Sequence, residues 1–261
     1  MTEQGQAMTS DSAARNGAGD AILTLQDVVA GYGKMTILHG TTFRVRRGAI
    51  TTVIGPNGAG KSTVFKTIFG MLPARSGTIA FDGHDITNLP PRALIRHGLC
   101  YVPQGRNIFP ELSVKHNLEL GAVMAPEGFD LAGRMEAAMD RFPVLRRKAN
   151  QQASTLSGGE QKMLEIARAL LMDPKLVLID EPSIGLSPLM VQDMFAILTQ
   201  MRDRGITVLM IEQNAKRALE MSDEGIVLEL GRTRIAGKAA TILADPRIGQ
   251  LFLGGGLEEA G

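Results

Sequence analysis

Residues 55–63 read Gly55-Pro56-Asn57-Gly58-Ala59-Gly60-Lys61-Ser62-Thr63. An apolar, β-branched run (49–55) leads into them and a helical pattern (64–71) follows. Glycines between a strand and a helix let successive backbone N–H groups curl toward one point, where the helix dipole adds about half a positive charge. That point suits a polyphosphate. Lys61 reaches the outer phosphates and Ser62 offers a hydroxyl to Mg²⁺, with Gly55, Asn57, Gly58, Gly60 and Thr63 completing the cradle. A Gly-rich turn without a ligand is the alternative, but the preceding strand and following helix are the context the phosphate reading requires.

Outward from this loop, short β-branched runs alternate with helical patterns, which predicts an α/β domain with a largely parallel, doubly covered sheet. Core strands are expected at 49–55, 99–103, 175–180 and 206–212. Runs at 22–28, 42–46 and 77–81 alternate like half-exposed antiparallel strands, and 226–236 reads as a late hairpin; these are expected to flank the parallel core. Between about 89 and 154 the strand signal mostly fades, and helical pieces at 91–97, 114–122 and 131–141 predict an inserted helical subdomain. The helix after Ser157 aligns Met163, Ile166, Ala167, Leu170 and Leu171, and the one after Pro188 aligns Met190, Met194, Ile197, Leu198 and Met201. At helical spacing these stripes are core packing, methionines included.

With 261 residues, 44% of them hydrophobic, the chain can bury a sizeable core. Its 28 basic and 27 acidic side chains leave a formal charge of +1, too little to form a nucleic-acid groove or to hold an anionic membrane. The single cysteine, Cys100, sits beside Leu99 and Tyr101 and reads as a small buried hydrophobe; no disulfide framework is possible. No run approaches the ~20 apolar residues of a membrane-spanning helix. Residues 1–20 are small and polar and are expected to form a disordered tail; with a short C-terminal tail at 255–261, one domain is left over 21–254.

Two further elements carry chemistry. Leu176-Val177-Leu178-Ile179-Asp180-Glu181 is an apolar strand ending in two acids, which is costly unless they face a cation or water. Asp180 can hold magnesium's water shell, and Glu181 can take a proton from an attacking water. In Leu156-Ser157-Gly158-Gly159-Glu160, Ser157 and Glu160 have capping-box spacing, and Gly158 and Gly159 leave N–H groups open to an anion.

Together these three elements resemble the ABC cassettes, with Leu156–Glu160 as the signature sequence, and the resemblance runs from about Ile22 to Gly254. It implies a P-loop NTPase (RecA-like) fold, an ATPase with ATP and Mg²⁺ as ligands, and catalytic roles for Lys61, Glu181 and Gln213. Tyr32, in Ala30-Gly31-Tyr32-Gly33, is similar to the aromatic that stacks on adenine. Gln104 looks like the glutamine that contacts Mg²⁺ and water, so Ser62, Gln104 and Asp180 form the implied metal set. Ser157, Gly158 and Gly159 would contact nucleotide held by the opposite cassette, and residues 183–186 would contact that cassette too.

One departure stands out. Where most of the family has a histidine, the chain reads Glu212-Gln213-Asn214, so Gln213 can donate to the terminal phosphate without carrying charge, across that phosphate from Glu181. A polar cap on the next helix is the structural alternative. Glu-Gln-Asn, with residues 104–110, 180–188 and 251–254, resembles importer cassettes for branched-chain amino acids. Those for urea and short amides look similar. That group implies a second cassette that is usually a different chain, transmembrane permease subunits, an indirectly linked solute-binding protein, and a place on the cytoplasmic face of the inner membrane. A soluble ABC ATPase acting on ribosomes or DNA is disfavoured by the charge balance and the missing coiled-coil insertion. A nucleotide sensor without turnover is disfavoured by the presence of both Lys61 and Glu181.

Overall fold

The computed structural model describes residues 20–252, so the expected tails fall outside it apart from Asp20. Strands β1 (Ala21–Tyr32), β2 (Met35–Arg46), β4 (Ala74–Phe81) and β5 (His84–Asp85) form an antiparallel sheet in the order β2-β1-β4-β5. The second sheet contains β3 (Ile50–Ile54), β6 (Leu99–Val102), β7 (Leu176–Asp180), β8 (Thr207–Ile211), β9 (Glu224–Glu229) and β10 (Arg232–Lys238), ordered β10-β9-β3-β8-β7-β6. All of its pairings are parallel except β9 with β10. The strands β3, β7 and β8 are buried at every residue, which is why they read as unbroken apolar runs rather than alternating ones.

Helices follow in the order α1 (Lys61–Ile68), α2 (Pro91–His97), α3 (Val114–Glu119), α4 (Leu131–Arg141), α5 (Pro143–Arg147), α6 (Gly158–Leu170), α7 (Pro188–Asp203), α8 (Ala215–Met221), α9 (Ala239–Leu243) and α10 (Pro246–Phe252). One core lies between the two sheets and is filled by α1, whose Val64, Phe65 and Ile68 meet Leu25, Phe81, Leu178 and Leu209. The other covers the opposite face, where α6 and α7 pack with α3, α4 and α5. Met194 and Met201 are buried there, as the stripe predicted. Truncating a fully buried side chain such as Phe65 to Ala costs about 3–5 kcal/mol, so α1 is held in place chiefly by packing.

Two expectations need correction. The late hairpin does not merely flank the core, because β9 pairs in parallel with β3 and is buried from Gly225 to Glu229. Its outer face is covered by Leu219, Ala239 and Ile242 from α8 and α9, which local alternation could not reveal. Only β10 lies outside the parallel set. The segment 89–154 is likewise not one helical insertion, since Leu99–Val102 is a core strand paired with β7, and Leu94 of α2 packs between the sheets. The helical part begins beyond Gln104.

Candidate active site

Because β3, β6, β7 and β8 run parallel, the loops leaving their carboxyl ends gather at one edge of the sheet, bringing together Gly55, Gln104, Glu181 and Gln213. The loop after β3 turns through Gly58 (φ 82°) and Gly60 (φ 99°) into α1, whose amino end has no side-chain cap and leaves its N–H groups open. Gly55 is needed for close approach: a Cβ there would lie 2.1 Å from the Leu228 carbonyl oxygen. Gly231 N–H donates to the Ala59 carbonyl at 2.9 Å, tying the loop to the β9–β10 turn. Lys61 Nζ donates to the Gly55 and Pro56 carbonyls at 2.8 and 3.0 Å. Burial lowers its pKa below the usual lysine value, against the pull of the Glu181 and Asp180 carboxylates.

Asp180 is 2% exposed. Its Oδ2 accepts from the Tyr101 hydroxyl at 3.3 Å, while Oδ1 is buried without a partner. Burial pushes its carboxyl pKa up, the Ser62 and Tyr101 hydroxyls draw it back, and the neighbouring Glu181 raises it again. Glu181 holds φ 49° immediately before Pro182, a left-handed conformation rare for a non-glycine residue and adverse before proline. Its N–H donates to the Ile211 carbonyl at 3.0 Å, which anchors the bend. Gln104 Nε2 donates to Glu181 Oε2 at 2.6 Å, and Gln213 Nε2 lies 3.0 Å from both carboxylate oxygens.

Ser157 forms the capping box expected of its spacing: it bonds Glu160 in both directions, and Lys148 Nζ binds both Glu160 oxygens at 2.8 Å. Burial works to raise the Glu160 pKa, but Lys148 and the Ser157 N–H outweigh it and hold it below the usual value. Among the described residues no hydrogen bond links this helix end to residues 55–63. The phosphate loop and the Ser157 end are separate features of one chain.

A family model described as "ABC transporter" matches residues 38–184. The chain is 41% identical over 234 residues to the Pseudomonas aeruginosa high-affinity branched-chain amino acid transport ATP-binding protein BraG, covering 90% of this chain and 100% of that one. It is 33% identical over 237 residues to the Escherichia coli lipopolysaccharide export system ATP-binding protein LptB, at 90% and 98% coverage. A crystal structure of the ADP conformation of the ATP-binding cassette MJ1267 superposes with a TM-score of 0.83 at 29% identity, covering 90% of this chain and 99% of that chain. This chain belongs to the ABC transporter family. It is an ATP-hydrolysing cassette.

Within the cassette, Tyr32 ends β1 about half exposed, with Lys66 Nζ 5.9 Å from the centre of its ring. The Gln213 amide rests on Glu181 itself. It is not the helix cap; Asn214 caps α8 by accepting from Arg217 N–H at 3.1 Å. Three features of the cassette went unread in the sequence. Tyr101 supports Asp180 from the neighbouring strand. Glu212 is buried and accepts from Ser183 N–H at 3.0 Å and Ser183 Oγ at 2.8 Å, which ties the loop carrying Gln213, just past β8, to the segment after Glu181. Burial pushes the Glu212 pKa up, with the Ser183 bonds opposing. The third is a charged pair, Lys162 and Glu165, on α6; opposite charges three apart beside an apolar stripe were the available signal.

Proposed function

We propose that this cassette drives uptake of branched-chain amino acids as one half of a cassette dimer beneath transmembrane permease subunits supplied by a solute-binding protein. Its place would be the cytoplasmic face of the inner membrane, and its nucleotide-binding domain would span 21–254. The observation that carries the catalytic part is the Glu181 carboxylate, gripped by two amide donors beside an Asp180 oxygen that has no protein partner. In this reading Glu181 accepts a proton from water as the water oxygen attacks the γ-phosphorus. The bond from that phosphorus to the bridging oxygen breaks, and ADP and phosphate leave.

The orphaned Asp180 Oδ1, the Ser62 hydroxyl and the Gln104 amide oxygen, whose nitrogen is engaged by Glu181, form an all-oxygen donor set suited to Mg²⁺. When bound, the ion would neutralise charge on the β- and γ-phosphate oxygens. Lys61 exchanges its Gly55 and Pro56 carbonyls for phosphate, and Tyr32 offers its open face to adenine. The second cassette, a different chain in keeping with the resemblance above, completes this site with its own signature segment, while Ser157, Gly158 and Gly159 complete the partner's site. Ile184 and Leu189, both exposed, fit a surface covered in that dimer.

Support for the solute comes from BraG and from the Archaeoglobus fulgidus probable branched-chain amino acid transport ATP-binding protein LivF, 38% identical over 226 residues. The likeness to LptB favours export as the second reading. Membrane vesicles carrying the chain with its co-purifying permease subunits would be tested for ATP-dependent accumulation of labelled leucine, isoleucine and valine. Accumulation of urea or short amides alone, or release of lipopolysaccharide without uptake, would sink the reading.

A further inference from the structure

Lys162 and Glu165 on α6 are 6% and 2% exposed at their side chains, joined at 2.6 Å, and set among buried Leu164, Ile166 and Ala167. Removing two charges from water is expensive, and their attraction offsets the cost only when their remaining donors and acceptors are also satisfied. One short segment satisfies them. Lys162 Nζ donates to the Gly105 carbonyl at 3.1 Å, Glu165 Oε1 accepts from Asn107 N–H, and Arg168 one turn later donates to the Asn107 carbonyl. Asn107 Nδ2 then donates to the Pro103 and Gln104 carbonyls at 3.2 and 3.4 Å. Apolar packing does not replace these bonds. Gly105 and Arg106 are exposed, and a cleft of about 140 Å³ bordered by Val102, Asn107, Glu165 and Arg168 lies beneath the segment.

The same segment presents Gln104 to Glu181, and the same helix begins with Gly158 behind its Ser157 cap. Eight residues of helix, about 12 Å, separate Ser157 from Glu165, and a helix of that length moves as a rigid rod. We propose that the Lys162–Glu165 pair is a positioning device: it fastens residues 105–107 to α6, so that engagement of the Ser157 end by the second cassette's nucleotide sets where Gln104 sits on the Glu181 carboxylate. This rests on the roles given above to Ser157, Gln104 and Glu181. An ion pair that merely stabilised α6 would work in either orientation; this one works in a single orientation, because Gly105 needs a donor and Asn107 needs an acceptor.

The test compares the complete transporter carrying the reversed pair, Lys162→Glu with Glu165→Lys, with one carrying an apolar pair, Lys162→Met with Glu165→Leu. Neutral replacement of a buried ion pair by residues of similar volume commonly preserves the fold. Amide hydrogen exchange over 104–109 and steady-state hydrolysis are read together. Both variants should lose protection at 105–107 and about 10-fold in kcat with little change in the KM for ATP, in the range of losing a group that orients a catalytic ligand. In a Gln104→Ala background the apolar pair should cost kcat nothing further, since the pair acts through Gln104. If the reversed pair does not fold, the apolar pair decides. A folded variant with wild-type exchange at 105–107 and wild-type kcat overturns the proposal, as does full additivity with Gln104→Ala. Failure of the roles it rests on would look different: Gln104→Ala or Glu181→Gln alone would leave kcat at the wild-type value, while the exchange comparison at 105–107 stayed readable.

Discussion

Gln213 Nε2 is equidistant, at 3.0 Å, from the two carboxylate oxygens of Glu181. A neutral donor shared between both oxygens fixes the carboxylate's direction without bringing a charge of its own. A histidine at 213 would hold the same place only by adding a titration.

Glu181→Gln retains the shape of the side chain and removes the base. Hydrolysis should fall by about 10²–10⁴-fold while ATP affinity persists, and ATP-bound dimers should accumulate. Single-turnover kinetics with nucleotide-binding titrations check both halves; a variant that hydrolyses at the wild-type rate removes Glu181 from the chemistry.

Gln213→His should stay active and acquire a pH dependence that wild type lacks. An imidazolium beside Glu181 has its pKa raised above the free value of about 6.5. Below that raised value the ion pair weakens Glu181 as a base, so hydrolysis should climb between about pH 6 and 8. Stability runs the other way, fully gained below about pH 6.5 and lost as pH rises through the folded-state pKa. Rates parallel to wild type at every pH would separate residue 213 from Glu181.

Much of the candidate site was legible because its chemistry is local. The phosphate loop, the acids at the end of β7 and the Ser157 capping box each occupy a few consecutive residues whose types dictate backbone shape. What escaped depends on pairing. Tyr101 reaches Asp180 only because β6 lies beside β7, and Gln213 reaches Glu181 only because β8 lies on β7's other side. Strand order is invisible in a single sequence, and for the same reason β9 was mistaken for a flanking strand. The left-handed Glu181 was hidden too, since its conformation comes from the Ile211 anchor rather than from its own preference.

Asp82 joins Lys175, just before β7, to Arg47, between β2 and β3, at 2.5 Å each. The Lys175 and Arg47 hydrogen bonds hold its carboxyl down at about 2. With an unfolded value near 3.9, the stabilisation is complete above about pH 4 and is lost as pH falls toward 2. Asp82→Asn keeps the left-handed backbone (φ 49°) that asparagine tolerates, so it isolates the charge. The variant should melt below wild type at pH 7, with the gap closing in acid and narrowing in high salt. A gap that is constant with pH would assign the loss to packing.

Leu230 sits at φ 46° in the β9–β10 turn with 70% of its surface exposed. A leucine there bears left-handed strain of about 1–2 kcal/mol with little burial to offset it. Leu230→Asn should raise the melting temperature by about 2–4 °C, measured by calorimetry. A lower melting temperature would mean that the side chain covers something the exposure figure does not reveal.

Phe109 is half exposed, with the Arg168 guanidinium 5.8 Å from its ring, and Asn117 bonds both its N–H and its carbonyl at 2.8 and 2.9 Å. The neighbouring Ile108, not Phe109, packs on the core. That leaves the ring available to a permease helix. Phe109→Ser should lower transport by the complete transporter while hydrolysis by the isolated subunit survives; equal loss of both would indicate a folding defect.

In the parallel sheet β3 lies between β8 and β9, and the β9–β10 turn fastens the phosphate loop through Gly231 and Ala59. Both neighbours of β3 are therefore translated more than 150 residues after it. While the chain grows on the ribosome, β3 waits with both hydrogen-bonding edges open, a state that invites aggregation. The clamp from Gly231 onto Ala59 therefore forms only after Gly231 has emerged, and ATP bound to the fastened loop then favours the finished fold.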